Sequence, residues 1–238
     1  MSKQILTLIF LFFVTVLSAQ ESKLKISHLT GDFYVFTTYN LYQGTPYPAN
    51  GLYVVTNNGV IMIDSPWDTT QFQPLLDSIR ARHHEKVTVC IATHFHEDRT
   101  GGLAYYKQQG IKTYATKQTD ELSKRRGMKR AEFLISRDTT FTVGQYSFQT
   151  IYPGPGHAPD NIVIWFEKEK ILYGGCLIKS TDDDTLGNLG DANTKAYATT
   201  LKNVQAKCKN PNHIIPGHNS WKSNQSLEHT LKMAENLK

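Results

Sequence analysis

A short, mostly apolar run over 87–92 leads without a break into Thr93-His94-Phe95-His96-Glu97-Asp98-Arg99. The run has the length and composition of a buried strand, and a strand covered on both faces belongs in a sheet packed between other layers. Where such a strand passes into a loop, its terminal side chains can converge on one point. His94 and His96 are two residues apart and so share a side. Imidazole nitrogens are the commonest zinc ligands, and a carboxylate such as that of Asp98 is another group zinc accepts. This one segment asks for a layered fold and offers part of a metal site.

The rest of the sequence supplies the layers. Strands are expected over 33–38, 51–56 and 60–64, the last two joined by the hairpin signal Asn57-Asn58-Gly59. The stretch 40–50, rich in Tyr, Gly and Pro, reads as a loop. Asp68 can cap a helix, Gln71 completes a capping-box pattern, and Phe72, Leu75, Leu76 and Ile79 recur at one-face spacing. After the His-rich segment come a helix over 103–109, a strand over 112–115, hairpins over 141–151 and 162–173, a helix over about 194–208, a strand over 213–215 and a final helix. Alternating strands and helices with interspersed hairpins fit mixed sheets covered by helices. No Ser/Gly linker or low-complexity tract divides the chain, so one domain is expected. Each half is β-rich and then helical.

The first 19 residues read as an address. Lys3 is a positive start, residues 5–17 are apolar except for Thr7 and Thr15, and Ala19 suits a cleavage site. A bilayer-spanning helix takes roughly 20 apolar residues, so a cleaved secretory signal is favoured over a retained anchor. The mature chain, 20–238, keeps 219 residues and a formal charge of +4, since the removed segment carries one Lys and no acid. That length suffices for a large core. Lys124, Arg125, Arg126, Lys129 and Arg130 cluster, and a solvated helix face explains them better than nucleic-acid binding. Of the three cysteines, Cys90 lies in the buried run and Cys208 ends a helix; whether those two pair is open.

Three further motifs raise the metal reading of the His segment. Gly154-Pro155-Gly156-His157, Gly174-Gly175-Cys176 and Pro216-Gly217-His218 each place a ligand-type residue at a strand end beside Gly or Pro. Taken singly, each is more simply a core or surface residue. Together they describe rigid elements presenting side chains on one rim.

With these residues in place, the chain resembles the metallo-β-lactamase superfamily, and within it the subclass B1 zinc β-lactamases, over nearly the whole mature length. The resemblance implies an α/β (α+β) four-layer αβ/βα sandwich of two mixed sheets covered by helices. It implies a first zinc site of His94, His96 and His157, a second of Asp98, Cys176 and His218, and therefore two zinc ions. Cys176 discriminates, because most hydrolases of the superfamily carry a metal-bridging Asp there; Arg99 stands where glyoxalase-II-like members have a His. Lys179 matches the residue that holds the substrate carboxylate, and Asn188 the one that assists at the lactam carbonyl, roles favoured over those of a surface cation and a turn residue. Asp64 matches an acid behind the metals, and 39–47, with Tyr39, Tyr42 and Tyr47, matches a mobile flap over the apolar part of the substrate. The Asp-rich stretch 181–185 departs from the pattern by crowding acid beside Lys179.

The implied activity is hydrolysis of the lactam amide of penicillins, cephalosporins and carbapenems by a metal-bound hydroxide, with resistance to those drugs as the consequence. Asp98 would hold the second metal, and no protein nucleophile would be needed. Export and family together imply a periplasmic monomer whose partner is a small β-lactam, with no nucleic acid and no membrane once the signal is removed. The rivals are a superfamily hydrolase of thioesters, lactones or phosphodiesters, against which Cys176 and Arg99 argue, and a non-catalytic zinc-binding or periplasmic binding protein. Six ligands for two metals leave coordination open, as catalytic sites require.

Overall fold

The structure is a computed structural model that describes residues 23–136 and 138–237; the export signal read at 1–19 lies outside them. In chain order the strands and helices are β1 (Leu24–Thr30), β2 (Phe33–Tyr42), β3 (Thr45–Thr56), β4 (Gly59–Ile63), α1 (Phe72–His83), β5 (Val87–Ile91), α2 (Glu97–Thr100), α3 (Leu103–Gln108), β6 (Lys112–Thr116), α4 (Lys117–Arg126), β7 (Phe133–Ile135), β8 (Thr139–Val143), β9 (Tyr146–Ile151), β10 (Val163–Phe166), β11 (Ile171–Gly175), α5 (Thr194–Lys207), β12 (His213–Pro216) and α6 (Ser226–Glu235).

Seven strands form one sheet in the order β1-β2-β3-β4-β5-β6-β7, and five form the other in the order β12-β11-β10-β9-β8. The first is antiparallel from β1 to β4 and parallel from β4 to β7. The second is antiparallel except where β11 meets β12. The alternation within β4 shows how the layers arise. Ile61 and Ile63 point between the sheets, where they join Leu52, Ile91, Phe148, Ile164, Phe166 and Ile215. Val60 and Met62 point outward onto Phe72, Leu75 and Ile79 of α1 and Leu103 of α3. On the opposite outer face, Tyr197, Leu201 and Val204 of α5 and Leu227 of α6 pack on Trp165, Leu172 and Ile214. A strand apolar on both faces, such as β4 or β11, is thus clad by a sheet on one side and a helix on the other. Each such buried side chain contributes about 1.5–3 kcal/mol of burial free energy. The result is the expected four-layer sandwich of two mixed sheets.

Three expectations need correction or completion. The stretch 40–50 is not a loop: β2 and β3 run out together as a hairpin paired to Tyr42↔Thr45. Its turn residues Gln43 and Gly44 both have positive φ, as a two-residue primed turn demands. Pro46 and Pro48 misled because Pro disfavours central strands, but here β3 outruns β4, which first pairs at Leu52↔Ile63, so both prolines lie on an edge. The Asp68 carboxylate does cap, accepting from the Thr70 amide at 2.9 Å, yet it caps a short 3-10 turn ahead of α1. Gln71 closes no capping box; its amide donates to Thr70 Oγ1 instead. Cys90 and Cys208 are both free thiols, Cys90 packed between the first sheet and α1, Cys208 between the second sheet and α5, on opposite sides of the sandwich, which rules out a bond between them.

The basic residues 124–126 end α4, exposed as expected, with Arg126 and neighbouring Arg130 paired to Asp191 and Asp120. No helix among the described residues is long and apolar enough to cross a membrane.

Candidate metal centre

Six predicted ligands meet at one edge of the two sheets. His94, His96 and Asp98 follow β5, His157 follows β9, Cys176 follows β11 and His218 follows β12. His96 Nδ1 lies 3.1 Å from His94 Nε2 and 3.2 Å from His157 Nε2. Cys176 Sγ lies 3.4 Å from Asp98 Oδ2 and 3.3 Å from His218 Nε2, and those last two atoms are 3.2 Å apart. The two trios adjoin, for His94, His157 and Cys176 also present ligand atoms within 4.8 Å of one another.

These spacings fit zinc. With Zn–N bonds of about 2.0–2.1 Å and tetrahedral angles, two imidazole nitrogens on one ion lie about 3.3 Å apart. Burial pushes the imidazoles of His94 and His157 well below their ordinary range, and that of His218 down, so all three favour the neutral, ligating form. Two of the four imidazoles, His218 and His96, have their outer nitrogens held from behind, which orients the ring and sets the tautomer. His218 Nδ1 donates to the Pro48 carbonyl at 2.8 Å, and His96 Nε2 faces Asp191 Oδ2 at 3.2 Å. Asp191 in turn receives Arg126 at 2.7 Å. Burial acts to raise the Asp98 carboxyl, but Arg99 and His218 more than offset it and hold it well below the usual range.

Arg99 is the hub beneath the second trio. Its guanidinium is fully buried. Nε donates to Cys176 Sγ at 3.2 Å, and Nη2 approaches Asp98 Oδ2 at 3.0 Å and donates to the Gly217 carbonyl at 2.9 Å. Nη1 donates to the Asn50 carbonyl at 2.6 Å. Burial pushes the Cys176 thiol up, and Arg99 opposes that by favouring the thiolate a metal needs. The glycine of the Pro-Gly-His motif follows from this crowding: a Cβ on Gly217 would lie 2.8 Å from Arg99 Nη2 and 2.7 Å from the Cys176 amide. Asp64, in the left-handed region at φ 63, accepts from the Thr93 amide at 2.8 Å and from Tyr173 Oη at 2.7 Å. It thereby holds the strand end that carries His94; burial raises its carboxyl to about 6, with Arg99 opposing.

The remaining candidates stand apart from the six ligands. Lys179 is 8% exposed, so it is no ordinary surface cation. Its backbone is held by Thr230 Oγ1 at 2.8 Å. Asn188 is exposed, with Oδ1 accepting from the Gly190 amide at 2.9 Å: the turn role is present, and no contact joins it to the six ligands. Tyr47 and Trp67 set their rings 5.2 Å and 5.9 Å from that of His218, and Tyr42 of the hairpin tip lies 5.7 Å from Tyr47. Leu41 at the tip is 68% exposed. Asp191, and the parts played by Asn50 and Tyr173, had no sequence signal; each joins the site from a segment whose spacing says nothing of it.

Two helix-clad mixed sheets with zinc-type ligands gathered from strand ends at one edge define a metal-dependent hydrolase. Residues 44–218 match the Metallo-beta-lactamase superfamily. A curated relative from Elizabethkingia meningoseptica, metallo-beta-lactamase type 2, is 44% identical over 214 residues, covering 90% of this chain and 86% of the relative. Metallo-beta-lactamase IND-1 of Chryseobacterium indologenes is 38% identical, covering 86% of each chain. Among solved structures, metallo-beta-lactamase IND-7 superposes with a TM-score of 0.87 at 36% identity, covering 91% of this chain and all of the other. A metallo-beta-lactamase from Pontibacter korlensis gives 0.86 at 31%, covering 90% and 99%. The chain belongs to the metallo-β-lactamase superfamily, and within it to the β-lactamases of the B1 pattern.

Proposed function

We infer that the exported domain, 20–238, is a periplasmic monomer that hydrolyses penicillins, cephalosporins and carbapenems with two zinc ions. His94, His96 and His157 would hold one, and Asp98, Cys176 and His218 the other. The observation that carries this reading is the convergence of six donor atoms, from four separate strand ends, at spacings zinc accepts. The names of the relatives support the substrate class.

Bound zinc supplies Lewis-acid polarisation and water whose pKa falls to about 7. The chain's own residues do the rest. Lys179 pairs with the carboxylate common to these drugs, a positioning role. With Oδ1 engaged by Gly190, the amide NH2 is what Asn188 can offer to a developing oxyanion. Asp98 and Cys176 keep the second metal in place, the thiolate favouring zinc over harder ions. The rings of Tyr42, Tyr47 and Trp67 form an apolar wall for the body of the substrate.

The test is hydrolysis of a panel holding a penicillin, a cephalosporin, a carbapenem, a thioester, a lactone and a phosphodiester by purified 20–238. Turnover confined to the last three would replace this reading with that of another hydrolase. Lys179→Ala should raise KM about tenfold with kcat nearly unchanged, since a hydrogen bond to a charged group is worth about 1.5–3 kcal/mol. An unaltered KM would remove its assigned role. Cys176→Ser should lower the bound zinc from two ions towards one by elemental analysis; two retained ions would deny it a ligand role.

A further inference from the structure

Tyr47, Asn219 and Asp183 lie in three separate segments, and one side chain joins them. Tyr47 belongs to the hairpin, where it pairs with Asn40 near the tip. Asn219 follows His218. Asp183 lies in the loop after Lys179. Asn219 Nδ2 donates to Tyr47 Oη at 3.0 Å and to Asp183 Oδ1 at 2.5 Å, so both hydrogens of its amide are engaged.

Both ends of this bridge, and its middle, are anchored. Asn219 sits in the left-handed region at φ 58, which Asn tolerates better than most residues, and its carbonyl accepts from Asn50 Nδ2 at 2.9 Å. The second carboxylate oxygen of Asp183 accepts from the Ser180 amide at 2.9 Å, and its backbone carbonyl accepts from His229 Nε2 at 2.7 Å. Ser180 is the residue after Lys179, so the bridge ends one peptide from the cation. At the other end, the Tyr47 ring lies against His218. One carboxamide therefore joins the hairpin to the loop bearing Lys179.

We propose that Asn219 is a positioning residue: it fastens the flap at Tyr47 to the Lys179 loop, so that seating of the flap and holding of the substrate carboxylate are one linked event. This rests on the reading of Lys179 as the carboxylate-binding cation. The bridge also restrains Asp183, whose negative charge acts on Lys179. Released from Asn219, that carboxylate can turn towards Lys179 and compete with the substrate for it.

The test is a double-mutant cycle on the zinc-loaded enzyme, with amide hydrogen exchange read beside kinetics. Asn219→Gly keeps the left-handed backbone and removes the bridge; Tyr47→Phe removes only the hydroxyl at its far end. Each should raise KM about fivefold with kcat within about twofold, as loss of one hydrogen bond implies. The double variant should do no more than either alone. Tyr47→Phe should also speed exchange in residues 180–184, to which its hydroxyl is joined through Asn219. Multiplying effects on KM, or unchanged exchange in 180–184 in both variants, would overturn the proposal. Lys179→Ala separates the two layers of inference. If it leaves KM unmoved while the exchange effects appear, the carboxylate reading fails and the proposed linkage fails with it. If it raises KM but the bridge variants change nothing, the bridge alone is refuted.

Discussion

Stripping metal from the purified enzyme should cut β-lactam hydrolysis at least about a thousandfold, and returning zinc should restore it. Lewis-acid stabilisation is worth several kcal/mol, and each 1.4 kcal/mol is tenfold in rate. The arrangement leaves little to fall back on. The thiol in the centre, Cys176, is held by Arg99 and faces Asp98 and His218, and on the proposed reading it serves as a ligand rather than as a nucleophile. His94 and His157, held neutral by burial, point their Nε2 atoms at His96, and the one hydroxyl near them, Thr93 Oγ1 at 3.4 Å from His94 Nδ1, is itself bonded to Asp64. Turnover of a cephalosporin, followed by absorbance with metal content verified, decides the matter. Activity surviving above about a tenth in metal-free protein would mean that these residues work by other chemistry.

Arg99→Ala should be the most damaging change away from the ligands themselves, destabilising the fold by about 3–5 kcal/mol. That is the range for breaking a buried ion pair by removing one partner. Here the loss is compounded, because one guanidinium serves Asp98, Cys176 and the carbonyls of Asn50 and Gly217, and approaches Asp64 at 3.5 Å. Without it, two buried carboxylates lose their counter-charge and β3 loses a stitch to the segment carrying His218. The measurement is urea unfolding of metal-free protein, which separates the structural effect from zinc binding. A loss below about 1 kcal/mol would show that the hub is redundant.

Arg99 also illustrates how far sequence reading reached. It was legible as a mark of kinship, next to Asp98, but not as the counter-ion of the second trio. Its partners come from positions 49, 77 and 118 residues away, and no local spacing encodes such a meeting. Asn219 and Asp191 are similar: each is an unremarkable polar residue in a turn-rich stretch until the fold sets it against Tyr47 or His96. The hairpin at 40–50 failed for another reason. Its prolines forbid a central strand, and only the length mismatch between β3 and β4 reveals that they stand on an edge.

What the sequence determined by itself is the set of layers and the ligand types. Burial on both faces of 60–63 and 87–91, one-face spacing in 72–79, and His, Cys or Asp beside glycine at strand ends are all local patterns, and local patterns follow from backbone period and steric freedom. The tertiary structure alone decided which nitrogen of each imidazole turns inward, what counter-charge sits beneath Cys176, and how the flap is tied to the Lys179 loop. Those depend on distances between segments far apart in the chain, and such distances exist only once the two sheets have closed on their common core.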